Sequence, residues 1–243
     1  MNRKTYALLL AALFAAPCFT IFQNAQAQET IRMKVEPAFV QCSHIHEIFN
    51  VTVQIYNIKA TYRIVGVQFR LQYNDTLLKV INISEGAFMK NPSWNLYGTW
   101  FISDDRHDDP IFGTHVIVGI LLLPNETTGQ WTLFPEGDGT LTTITFQTIY
   151  RPVEPLPPAS CSLNLADTMI IDEDLNEIPH TVEGAVYEVK TKPIPKLTLQ
   201  PQKYEATLLG EMFNLTVNLN DADSDWRIVG VQFRLQYNHA LLK

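Results

Sequence analysis

The sequence predicts an all-β fold: a β-sandwich followed by an incomplete second copy of itself. Three observations carry this. Apolar and polar residues alternate with period two through most of the chain, as strands with one buried and one wet face require. Glycine, proline and Asn/Asp clusters interrupt these runs at short intervals, while no segment shows a convincing amphipathic helical period. Finally, RIVGVQFRLQYN occurs twice, at Arg63–Asn74 and at Arg227–Asn238, an offset of 164 residues.

The offset holds without a gap, and Phe49–Lys79 matches Phe213–Lys243 at 19 of 31 positions. A period this long is a duplicated domain rather than a solenoid repeat of about 20–50 residues. It divides the chain into an N-terminal segment 1–27, a sandwich 28–190, a proline-bearing linker 191–196, and the N-terminal third of a second copy at 197–243. A unit of this size buries about 70% of its unfolded surface and needs no staple. The partial copy cannot do so, and its open strand edges invite aggregation. The expectation is a fragment of a longer reading frame, or else a disordered or swapped tail.

In chain order, residues 1–27 read as an export signal. Arg3 and Lys4 precede an apolar run, and Ala25-Gln26-Ala27 is an A-x-A cleavage site. No later run is long enough to span a membrane. Phe49, Val51, Val53 and Ile55 then alternate with polar residues, as do Val65, Val67, Phe69, Leu71 and Tyr73. Thr114–Leu123 is apolar on both faces and predicts a central strand. Thr140–Ile149 changes parity between Leu141 and Ile144, which predicts a bulge. Cys161, Leu163 and Leu165 form a further strand, with short strands expected at Thr168–Ile171 and Ala185–Val189. The prolines of the linker predict a semi-rigid spacer between domains strung as beads.

Without the two basic residues of the signal, 16 Lys and Arg face 25 Asp and Glu, a net charge of −9. With no basic stripe, nucleic acid is excluded as a partner class. Cys42 and Cys161 remain after cleavage, an even count suited to a disulfide in an oxidising compartment; two buried thiols are the alternative.

The motifs Phe49–Val53, Gly66–Asn74, Leu77-Leu78, Gly86-Ala87-Phe88, Gly139–Phe146 and Gly184-Ala185-Val186-Tyr187 are co-linear across residues 32–189 and resume in the second copy. This pattern resembles a cohesin domain. The resemblance implies a jelly-roll sandwich of about nine strands, related in fold to certain carbohydrate-binding modules. It implies tandem arrays on secreted or cell-surface scaffold proteins of bacteria and archaea. It further implies a dockerin module, carried by a polysaccharide-degrading enzyme, as partner. Cellulosomal cohesins often present Asn and Asp where this chain has Gly66 and Gln68. The outward face here is Gly66, Gln68, Arg70 and Gln72, repeated as Gly230, Gln232, Arg234 and Gln236, and Gln68, Arg70 and Gln72 are the candidate binding residues.

Other chemistry is sparse. His44 and His46 have a chelating spacing, but the second copy carries Leu208 and Gly210 there. Asp172–Glu177 starts like a calcium loop but lacks its glycine and its bidentate glutamate, so a solvated turn is expected. Asp104, Asp105, Asp108 and Asp109 crowd one predicted loop rather than facing each other across a cleft. No nucleophile motif or phosphate-cradling loop is found, so the reading is non-catalytic, with no cofactor and no metal. Trp94, Tyr97, Trp100 and Trp131 are candidates for a sugar-stacking platform. Asn50, Asn74, Asn82, Asn125 and Asn214 lie in N-x-S/T sequons. Three functions follow in order: an adhesion or scaffolding module for a protein or polysaccharide-associated ligand, a carbohydrate-binding module, and a surface-layer or stalk domain without a ligand.

Overall fold

The computed structural model describes residues 30–243; the expected export signal lies outside the described residues. The alternating runs form β1 (Ile31–Glu36), β2 (Phe39–Cys42), β3 (Ile48–Ile58), β4 (Ile64–Gln72), β5 (Leu78–Glu85), β6 (Thr99–Asp109), β7 (Gly113–Leu122), β8 (Gly137–Thr148), β9 (Ala159–Asp172), β10 (His180–Glu183) and β11 (Ala185–Val189). Two sheets result, ordered β10-β1-β3-β8-β5 and β2-β11-β9-β4-β7-β6. Within them only β1–β10 and β2–β11 pair in parallel. The expected sandwich of about nine strands is thus present, with the short β2 and β10 added at sheet edges.

The core lies between the sheets. From β4, Val67, Phe69 and Leu71 point inward, and Val51, Val53, Ile144 and Phe146 meet them from β3 and β8. Rings tie the layers together: Tyr187 of β11 stacks on Phe49 of β3 at 5.2 Å, and Tyr73 meets Phe146 edge-on at 5.2 Å. The buried Tyr187 hydroxyl pairs with Thr148 Oγ1 at 2.8 Å, so the one polar end of that ring is satisfied.

The predicted bulge is where the parity changed. Val53 pairs with Thr142 but Gln54 with Thr140, so Leu141 is the extra residue. Two expectations need correction. First, the two strands expected across 161–171 are one. β9 runs unbroken through a second bulge, where Gln68 pairs with Met169 and Arg70 with Ala166, and Asp167 takes the left-handed φ of 45°. Second, the acidic segment Asp104–Asp109 is the end of β6 and not a loop. β6 pairs on one side only, so it carries polar residues on both faces and its period is hidden. The linker, expected as a semi-rigid spacer, is hydrogen-bonded to the sandwich at its start. Lys190 N–H donates to the Cys42 carbonyl (3.0 Å), Lys192 N–H to Pro152 O (2.7 Å), and Glu154 N–H to Lys192 O (3.1 Å).

Beyond the linker, β12 (Lys196–Gln200) and β13 (Thr216–Asn220) form a two-stranded sheet. Its register, Leu199 opposite Val217, is that of Val35 opposite Val53 moved by 164 residues. The repeated segment behaves differently in its two places. As β4 it lies between β9 and β7; at Arg227–Asn238 it pairs with no strand among the described residues, and Val231, Phe233 and Leu235 are exposed. Identical residues therefore need neighbouring strands to become a strand.

Candidate functional site

The outer face of the six-stranded sheet is the most distinctive surface. Because side chains alternate along each strand, burying Val67, Phe69 and Leu71 turns Gly66, Gln68, Arg70 and Gln72 outward, as the sequence predicts. The three polar side chains are held within the sheet. Arg70 Nε donates to Asp167 Oδ2 at 2.8 Å, and its Nη1 lies 2.7 Å from His115 Nε2. His115, fully buried, places Nδ1 2.9 Å from the Gly113 carbonyl. A proton on Nδ1 donating to that carbonyl leaves Nε2 to accept from Arg70, which assigns the tautomer. The guanidinium also lies 4.5 Å from the Phe112 ring centroid. Gln72 Nε2 donates to Phe112 O at 2.9 Å. These residues make a rigid polar shoulder rather than free ligand groups.

Beside the shoulder is an apolar strip that the single-strand reading did not find. The register sets Trp100 opposite Leu121, Ile102 opposite Gly119, Gly66 opposite Ile171 and Gln68 opposite Met169. Together they line a shallow groove of about 140 Å³. Gly66 is its floor: a Cβ there would come within 2.7 Å of the Ile171 side chain. Trp100 is 60% and Ile102 50% exposed, a large apolar area for β-strand residues facing water. The strip crosses four strands far apart in sequence, so no local period reveals it. The only available signal was the doubly apolar pattern of 114–123, which places Ile117 and Leu121 on the outward face.

The four aromatic candidates for a sugar platform do not assemble. Trp94 and Trp131 are half-buried against the core, and their ring N–H groups donate to Phe88 O and Leu122 O, both at 3.0 Å. Tyr97 accepts from Asn125 Nδ2 at 2.7 Å, and Trp100 stands on the sheet face. Trp94 and Trp131 pack against the core, which overrides the shared face that the spacing of the four rings allowed. The cysteine pair is corrected as well: Cys42 and Cys161 are free thiols. β11 lies between their strands, with Val189 opposite Cys42 and Tyr187 opposite Cys161. Two strand spacings of about 4.8 Å exceed the Cα reach of a disulfide, roughly 7 Å at most. Burial pushes both thiols above their usual pKa.

Asp104, Asp105 and their neighbours also have structural partners. Asp105 accepts from the Tyr73 hydroxyl at 2.7 Å, and Arg106 Nε donates to Asp104 at 2.9 Å. Asp172 accepts from the N–H groups of Asp174 and Asn176, capping its own turn. Asn50, Asn74, Asn82 and Asn214 are exposed and Asn125 half-exposed. Among the described residues no helix is long and apolar enough to cross a membrane.

The family model for the cohesin domain matches residues 43–148. A cohesin from a type I cohesin–dockerin complex of Clostridium thermocellum (Coh-OlpC-Doc435) superposes with a TM-score of 0.51 at 14% identity, covering 67% of this chain and 94% of that one. A non-cellulosomal cohesin from the archaeon Archaeoglobus fulgidus gives 0.47 at 17% identity, covering 67% and 92%. The Coh-OlpA-Doc918 complex of Clostridium thermocellum gives 0.46 at 20%, covering 66% and 99%. At these identities the likeness is one of fold. No curated protein matches the sequence.

Proposed function

We propose that this sandwich is a docking module of an exported, multi-domain scaffold protein, and that the outer face of β9-β4-β7-β6 receives a dockerin-type protein module. The observation that carries the reading is the apolar strip of Trp100, Ile102, Leu121, Met169 and Ile171 over Gly66. Protein interfaces have such an apolar centre and polar rim. The shoulder of Gln68, Arg70 and Gln72 supplies the rim and, being already hydrogen-bonded, presents a preorganised surface. One solved structure of like fold is named as a cohesin–dockerin complex, and that partner class is carried to this chain on the strength of the shared fold. The export signal at 1–27 and the second repeat from 197 fit a displayed array. A sugar-binding reading is not favoured, because Trp100 stands without a second platform ring.

Calorimetric titration of the whole chain with a panel of dockerin modules tests this. Binding by at least one module is expected, together with a loss of at least tenfold in affinity, about 1.4 kcal/mol, for Ile102→Asp. Ile81→Asp, an exposed residue of the opposite sheet, is the control and leaves binding unchanged. Equal binding by wild type and Ile102→Asp refutes the assigned face.

A further inference from the structure

A second surface lies where the chain leaves the sandwich, built around Arg151. This side chain is only 5% exposed, and its guanidinium grips the turn Asp221–Trp226 beyond the linker. Nη2 lies 2.8 Å from Asp223 Oδ2 and Nη1 2.7 Å from Asp225 Oδ2. The remaining N–H groups hold the linker itself: Nε donates to Lys190 O at 3.0 Å and Nη2 to Thr191 O at 3.3 Å. The contact continues on both sides of the pair. Ile45 N–H donates to Asp225 Oδ2 at 3.1 Å, across 180 residues. Trp226 Nε1 donates to Pro193 O at 2.6 Å, and Lys192 Nζ sits 3.7 Å from the centroid of the same ring. Asp223 and Asp225 are held below the usual carboxylate range, with the Arg151 guanidinium outweighing their burial.

The first copy shows that this chemistry is not demanded by the turn. Both copies form the same short 3-10 turn, Ala60–Tyr62 and Ser224–Trp226, each ended by a left-handed arginine, Arg63 and Arg227. Moved by 164 residues, Asp223, Asp225 and Trp226 correspond to Lys59, Thr61 and Tyr62. The acids stand only in the copy that follows another domain, and they face a cation of that domain. The same two carboxylates and His44 lie within 4.8 Å of one another. Metal binding is disfavoured there, because the guanidinium already occupies both carboxylates.

We propose that Asp223-Ser224-Asp225-Trp226 is a docking plug, and that Arg151, Lys192 and the backbone at Ile45 form its socket. Its partner is the second repeat of this same chain, which the plug fixes in one orientation on the first. Together with the linker hydrogen bonds it makes the array a jointed rod rather than loose beads. The proposal is independent of what binds the sheet face.

Hydrogen exchange by NMR on the whole chain tests it, with the Ile45 amide and the Trp226 indole N–H as reporters. Both are expected to be protected in the wild type and to exchange at least tenfold faster in Arg151→Gln and in Asp223→Asn/Asp225→Asn. The amides of Val67 and Phe69 stay unchanged, and the three substitutions combined add little to either set, as one shared interaction requires. Should Arg151→Gln loosen β4 as well, the aspartate variant, altered outside the sandwich, decides by the same reporters. Unprotected reporters in the wild type, wild-type exchange in the aspartate variant, or additive effects would overturn the plug.

Discussion

Arg70 shows how a side chain read as an exposed ligand group becomes part of the scaffold. Its outward direction follows from the alternation of β4, but its partners Asp167, His115 and Phe112 come from β9, β7 and the β6–β7 turn. Removing it in Arg70→Ala leaves the buried His115 Nε2 without a donor, so the chain should lose about 1–3 kcal/mol in chemical denaturation. His107 offers a pH test. Its ring lies 3.2 Å from Asp75 and 3.3 Å from Asp105, and the hydrogen bond to Asp75 raises its pKa. Asp75 is lowered, first by the Thr114 hydroxyl and then by His107. The histidine's share of stability is complete below its unfolded pKa of about 6.5 and fades as pH rises through the raised folded value. The aspartate's share is complete above about 4 and fades as pH falls through its lowered value. Both groups are about half exposed, so the effect on stability is small and NMR is the right readout. His107 should titrate above about 6.5, and Asp75→Asn should lower its midpoint, with Asp105 still raising it; an unmoved midpoint contradicts the pairing. The cysteines are simpler: both should alkylate in denaturant without any reductant, whereas a bridge would protect them. Sequence spacing could not show that β11 separates them.

Among the elements, those with one wet and one buried face were legible. β3, β4 and the bulge in β8 follow from two-residue periodicity and its one break, and β7 from its doubly apolar run. β6 was not, because an edge strand with Asp, Arg and His on both faces carries no period. β9 was split in two because the bulge at Asp167 shifts parity mid-strand. The apolar strip escaped for a related reason. It is a property of register among β9, β4, β7 and β6, and a sequence records alternation within strands but not pairing between them. One glycine illustrates how closely elements approach. Gly86 donates its N–H to Leu141 O at 2.7 Å, and a Cβ there would stand 2.1 Å from the Thr140 carbonyl oxygen. Gly86→Ala must therefore push β5 off β8, with a loss of about 1–3 kcal/mol by overpacking. A melting temperature equal to wild type would contradict this close approach.

At the scale of the whole molecule, the duplication was the most informative sequence feature, and its two copies separate local from tertiary determinants. The β1–β3 register reappears in β12 and β13, and the 3-10 turn reappears with its left-handed arginine. The RIVGVQFRLQYN segment becomes a strand only where neighbours flank it. The site divides in the same way. Its polar shoulder was read from one strand, while the hydrophobic centre and the Arg151 socket required the assembled fold. The proposed docking of a protein partner on the outward face of β9-β4-β7-β6 is decided by NMR cross-saturation of the whole chain bound to a dockerin module. Attenuation confined to Trp100, Ile102, Leu121, Met169, Ile171 and the Gln68–Gln72 shoulder is expected. Attenuation centred on the outward residues of β3, β5 and β8 instead would contradict it.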